Sequence, residues 1–159
     1  MAIVTATVSI NAAFLQEIKT DHLLLGELFA DVRKCLATPT WIANHARVVS
    51  DLLEELLDQL ALHFALEEAI GYFEDTVSAA PRLSTEAEEL RNQHGELFEE
   101  LRELVDSAQA HAAAGSMSLR QSRQLARAFH TFDERFLAHE KRENELIMIA
   151  FEQDIGVGD

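Results

Sequence analysis

Cysteine is nearly absent: Cys35 stands alone, so no internal disulfide can form and no paired-cysteine motif is available. It reads as a small buried side chain. Proline and glycine are scarce too, two and six in 159 residues, while Ala, Leu, Glu, Gln and Arg dominate, so local preference favours helix almost throughout. Basic residues number 13 against 28 acidic ones, a formal net charge of -15. A surface of that sign repels phosphate backbones and anionic headgroups, which argues against nucleic acid and membrane partners. No run of about 18 apolar residues is present, so no spanning helix is expected. Met1 to Ile10 lacks the basic start and long apolar centre of a signal peptide, which points to the cytoplasm.

What is there is a chain 48% apolar and of a length that suits one domain with one core. Breakers divide it into four long segments. The first runs from about Asn11, an N-cap residue, to about Leu36, ahead of Thr38-Pro39-Thr40, where proline fits the opening turn of the next helix. The second continues to about Val77 and is closed by Pro81. A third opens on a Thr85/Glu88 capping box and ends near Gly115; the fourth opens on Ser118 with Gln121 in the same relation and runs to about Asp154. Short connections between long helices make neighbours antiparallel. The expected fold is an all-α, up-down-up-down four-helix bundle over residues 11–155, with residues 1–10 as an N-terminal extension.

Apolar residues recur at steps of three and four in every segment, as a bundle core requires. The seams read Leu15, Ile18, His22, Leu25, Phe29, Val32, Leu36; then Val49, Leu53, Leu56, Leu60, His63, Glu67, Ile70; then Ala87, Leu90, His94, Leu97, Leu101, Leu104; then Leu125, Phe129, Phe132, Phe136, His139, Glu143, Leu146. Each helix thus directs one histidine to the core, and two add a carboxylate one turn later on the same face. Two facing carboxylates in an apolar interior must be protonated or neutralised by cations, and no Lys or Arg lies on any seam. A metal is the simplest neutraliser. At about 1.5 Å per residue the six side chains fall on the order of 8 Å apart in height, which helix tilt can absorb. Four imidazoles and two carboxylates suit two ions of intermediate softness, each taking two His with the Glu residues between them. Iron fits this set, with manganese as a substitute; zinc would more often settle for one four-coordinate site.

The order His22, His63-x-x-x-Glu67, His94, His139-x-x-x-Glu143 resembles the hemerythrin-like, or HHE cation-binding, family over residues 14–152, and His63-Phe64-Ala65-Leu66-Glu67-Glu68 is a family-like string. The resemblance implies a non-haem centre of two iron ions, with carboxylate and oxo or hydroxo bridges (Fe-O-Fe or Fe-OH-Fe), that reacts with dioxygen. By match of position it implies that Glu67 and Glu143 bridge, that His22 and His63 serve one iron, and that His94 and His139 serve the other. The chain departs from oxygen-carrying hemerythrins at the positions four before and four after His94. These hold Leu90 and Phe98, so a fifth imidazole is lacking and a water or another carboxylate, Glu68 or Glu140 among the neighbours, would take its place. Exchangeable coordination favours reaction over reversible carriage.

Other histidines fit blander roles. His130-x-x-x-Glu134 repeats the spacing but lies nine residues from His139, half a turn round the helix, and reads as a surface pair. His45 and His111 fall about 25 Å away at the far end of the bundle, where capping or solvent contact is expected. Phe29, Phe129, Phe132 and Phe136 fill the core; Phe64 and Phe98, beside ligands, also restrict access. Tyr72 takes no role. The functional expectation is a di-iron protein that binds or reacts with dioxygen, peroxide or nitric oxide, and turnover and sensing fit the residues equally. The alternatives are a sensor or interaction module whose stability follows metal occupancy, and a metal-free helical adaptor. No feature marks an oligomer interface.

Overall fold

The computed structural model describes residues 2–69 and 81–158, with side-chain placement for 16, 17, 19–69 and 81–149. Among these the chain is helical, without strands: α1 Ala2–Leu36, α2 Pro39–Asn44, α3 Ala46–Ala69, a 3-10 turn Pro81–Leu83, α4 Ser84–Ala113 and α5 Leu119–Gly158. The helix α3 packs on α1 and α4, α4 packs on α5, and the short α2 lies against α5. The result is a helical bundle.

Local chemistry explains most boundaries. Gly115 takes a positive φ of 82°, a conformation that closes α4 and that a Cβ would strain. Ser118 then forms the expected capping box: its Oγ accepts from the Gln121 backbone N–H at 3.1 Å, and its own N–H donates to Gln121 Oε1 at 2.9 Å. The Thr85/Glu88 box does not form. Leu83 occupies the N-cap position without a side-chain cap bond, and Thr85 lies inside α4, because the Pro81–Leu83 turn buries Leu83 and feeds straight into the helix. The second segment is divided as well. Proline opens α2, the helix ends after one buried anchor, Ile42, and His45 stacks on Trp41 at 4.2 Å while α3 starts afresh at Ala46. α1 begins at Ala2 instead of Asn11, and α5 continues four residues past Asp154 to Gly158. The expected end near Val77, the seam residue Ile70 and Tyr72 lie outside the described residues, as does the placement of the Leu15 and Ile18 side chains.

One face of each long helix builds the core. Leu53, Leu56, Leu60, Leu101 and Phe132 are fully buried, and each such side chain contributes about 1.5–3 kcal/mol relative to exposure. Phe29 of α1 stacks on Phe132 and Phe136 of α5, at 6.1 and 4.6 Å between centroids, and Arg33 of α1 grips Asp133 of α5 through two bonds of 2.8 and 2.7 Å. Cys35 is half-buried, at the edge of this core and not within it. Leu83, Ala87, Leu90 and Leu146 are also buried but stand apart from the main apolar cluster. What separates them along α4 and α5 is a polar layer.

Candidate metal centre

Five of the six residues expected from the sequence meet in that layer. His63 and Glu67 on α3, His94 on α4, and His139 and Glu143 on α5 are all buried, although none belongs to a class that favours the interior. The i, i+4 spacing places each His and its Glu on one helix face, so the contacts are short: His63 Nε2 to Glu67 Oε1 is 2.5 Å and His139 Nε2 to Glu143 Oε2 is 3.0 Å. His94 completes the group, with Nε2 3.3 Å from Glu67 Oε2 and 3.7 Å from Glu143 Oε2. Glu67 therefore divides its oxygens, one toward His63 and one toward His94.

The sixth residue, His22, is exposed, and its neighbour Asp21 takes the buried seam position. Stepping back from Leu25 by three gives His22 and by four gives Asp21, both near one face of a 3.6-residue helix; the fold takes the four-residue step. His22 nevertheless reaches the layer from its edge. Its ring centroid lies 5.0 Å from that of His63, and donor atoms of Asp21, His22 and His63 fall within 4.8 Å of one another. Two further groupings meet the same limit: Glu67, His94, His139 and Glu143, all buried, and His63, Glu67 and Glu140.

The outer nitrogen of each buried imidazole is held by a polar side chain. His63 Nδ1 donates to Asp21 Oδ2 at 2.6 Å, and Gln59 Nε2 donates to Asp21 Oδ1 at 2.7 Å. His94 Nδ1 donates to Glu68 Oε1 at 3.2 Å, and His139 Nδ1 donates to Gln93 Oε1 at 2.8 Å. Fixing the Nδ1 proton turns every Nε2 inward, which is how a metal-ligating histidine is oriented. Inside the layer the complement is missing: both oxygens of Glu67, Oε2 of Glu143 and Nε2 of His139 are buried without an aligned hydrogen bond. Such groups are costly unless a cation or proton neutralises them.

Electrostatics show the same demand. Burial lowers the His63 pKa, but the carboxylates of Glu140 and Glu67 outweigh it and raise it to about 11. His94 is likewise held up at about 9, burial being overcome by Glu143, Glu67 and Glu68. Burial pushes the Glu143 carboxyl up, yet His139 and His94 bring it down to about 2, whereas Glu67 is raised, mainly by burial and partly by Glu143. Protons on imidazole stand where a cation would sit. The donor set, imidazole nitrogen and carboxylate oxygen, fits a divalent ion of intermediate softness.

Sequence reasoning missed Asp21, Gln59 and Gln93, polar residues that sit beside the seams and look like solvated positions; the only signal is their spacing, Gln59 one turn before His63 and Gln93 adjoining His94. Phe64 stacks on the His94 ring at 4.0 Å and meets His139 edge-on at 5.9 Å, walling the layer. Leu90 is fully buried and Phe98 half-buried at the positions that lack a fifth histidine. His130 pairs with Glu134 at 3.1 Å, both largely exposed, as expected of a surface pair. His45, at the C-cap of α2, donates from Nδ1 to the Trp41 carbonyl oxygen at 2.8 Å, and His111 lies in the last turn of α4.

A helical protein with a buried layer of histidine and glutamate is a cation-binding bundle in class. The family model of the hemerythrin HHE cation-binding domain matches residues 13–148, and the chain belongs to that family. No match was found among curated proteins or among solved structures.

Proposed function

We propose that this chain is a cytoplasmic non-haem di-iron protein that binds or reacts with dioxygen, peroxide or nitric oxide, built as an up-down-up-down four-helix bundle with the centre in its core. The observation that carries the reading is Glu67, whose two buried oxygens face different histidines, His63 and His94, and lack aligned hydrogen bonds to either. A carboxylate so placed can span two cations. His22 and His63 would hold one iron and His94 and His139 the other, with Glu67 between them; Glu143, which the family resemblance implies as a second bridge, has its contacts with His139, His94 and Glu67 and would sit beside the second pair. When bound, two ferrous ions supply one electron each to a small oxidant. The chain's own part is to orient the imidazoles through Asp21, Glu68 and Gln93, to keep the layer dry with Phe64 and Phe136, and to leave an edge open at His22. No helix among the described residues is long and apolar enough to cross a membrane.

The test is metal analysis of the purified protein with an optical spectrum before and after air or peroxide. A pair of irons per chain and a near-ultraviolet band that bleaches on reduction are expected; iron-free protein that chelators do not destabilise would refute the reading. A sensor whose stability follows metal occupancy is the second reading, favoured by the unaligned buried oxygens of Glu67. A large melting shift with iron and no turnover would select it.

A further inference from the structure

We infer that Glu140 is a metal ligand of this centre and that the two halves of the centre are unequal, one sealed and one exchangeable. The inference rests on the di-iron reading above. Glu140 Oε1 lies 3.0 Å from His63 Nε2, the same nitrogen that faces Glu67 Oε1, and the donor atoms of these three residues fall within 4.8 Å of one another. Glu143, one turn further along α5, contacts His139 and His94 and meets the carboxyl of Glu67, with no described contact to His63. One carboxylate, Glu67, thus spans the layer, Glu143 serves the His94/His139 half, and Glu140 serves the His22/His63 half.

Charge and burial argue the same way. Two divalent ions held by Glu67 and Glu143 alone would leave a large residual positive charge in a low-dielectric layer, and a third carboxylate reduces it. Each half then has two imidazoles and two carboxylate oxygens. The halves differ in their access to water. Glu67, His94, His139 and Glu143 are all buried, whereas His22 is exposed and the Glu140 side chain keeps 19% of its surface accessible. A metal among the first four would be enclosed on all sides by buried ligands, whereas His63 has His22 and Glu140, both reached by water, as its outer neighbours in two separate groupings. Glu140 comes from α5 and contacts His63 of α3, while the α4 positions that lack an imidazole hold Leu90 and Phe98.

Anaerobic titration of the full chain with Fe(II), followed by calorimetry and by metal analysis after gel filtration, tests this. Wild type should take up iron in two steps of unequal affinity. Glu140→Gln should weaken the weaker step by about 10-fold or more and keep the tighter one; Glu143→Gln should remove the tighter step; Glu140→Asp, which keeps a carboxylate, should recover part of what Glu140→Gln loses. A Glu140→Gln chain that titrates like wild type, or one that loses both steps together, overturns the inference and leaves the di-iron reading standing. Equal behaviour of the Asp and Gln variants overturns it too. A wild-type chain that takes up no iron overturns both.

Discussion

Replacing Asp21 by Asn should loosen the metal without removing a ligand. The carboxylate is buried and accepts two bonds, from His63 Nδ1 at 2.6 Å and from Gln59 Nε2 at 2.7 Å. An amide of the same shape has one oxygen for these two donors and no charge; even where Gln59 turns its own oxygen to accept the new N–H, buried His63 is left with a neutral partner in place of a carboxylate. A buried hydrogen bond to a charged group contributes about 1.5–3 kcal/mol, and a frustrated donor costs about 1–3 kcal/mol. A loss near 2 kcal/mol in the metal-free protein is therefore expected, a fall in melting temperature of about 4–8 °C for a domain of this size. His63 also loses the partner that aims its Nε2 at Glu67 and Glu140. Removal of such an orienting group typically lowers metal affinity about 10- to 100-fold. Chelator competition on the Asp21→Asn chain, with melting measured in parallel, reads both effects. Affinity within about twofold of wild type would show that His63 is oriented by packing alone, by Phe64 and Phe136 around its ring, and would refute the reasoning.

pH should act in opposite directions on the metal-free and metal-loaded forms. His63 and His94 titrate in the fold at about 11 and about 9, above the ordinary 6.5, so their stabilisation of the metal-free protein is full below pH 6.5 and is lost as pH rises through those values; metal affinity should rise over the same range because protons leave the ligands, and melting and chelator competition across pH check both slopes. Phe132→Ala removes a fully buried ring from the stack with Phe29 and Phe136 and should cost about 3–5 kcal/mol in chemical denaturation while leaving the metal stoichiometry unchanged. Ser118→Ala breaks the box that starts α5 and should cost about 0.5–2 kcal/mol by the same measurement, without effect on metal affinity.

Which parts of this were legible in the sequence follows from how local each determinant is. The seams of α3, α4 and α5 follow from spacing alone, so His63, Glu67, His94, His139 and Glu143 could be placed in the interior from their register with Leu60, Leu97, Phe136 and Leu146. Ser118 and Gln121 satisfy one another within a single turn, and their box forms as read. Thr85 and Glu88 have the same spacing, but the entry to α4 is decided by where Leu83 is buried, a tertiary matter. The break at His45 has no proline or glycine to announce it; the ring packs on Trp41 and ends α2 by a contact that spacing does not reveal. At the start of the α1 seam the three- and four-residue steps are both allowed, and helix geometry alone could not decide between His22 and Asp21. Gln59 and Gln93 were invisible for a plainer reason: a glutamine that orients an imidazole has the same sequence signature as one that faces water.

The polar layer also ties chemistry to stability. It divides the apolar interior, with Leu60, Leu97 and Phe136 on one side and Leu90 and Leu146 on the other, so the bundle cannot pack continuously across it. Without metal, the layer relies on protons shared among imidazoles and carboxylates, and several of its atoms lack aligned hydrogen bonds. A cation that binds only the folded chain stabilises it by about 2.7 kcal/mol at a concentration 100 times its dissociation constant. Any small ligand that alters how firmly His63, Glu67 and His94 hold that cation must by linkage alter the stability of α3 and α4 around it. On the proposed reading, reaction with an oxidant and a change in fold stability would both draw on this one arrangement, through the hold of His63, Glu67 and His94 on the cation.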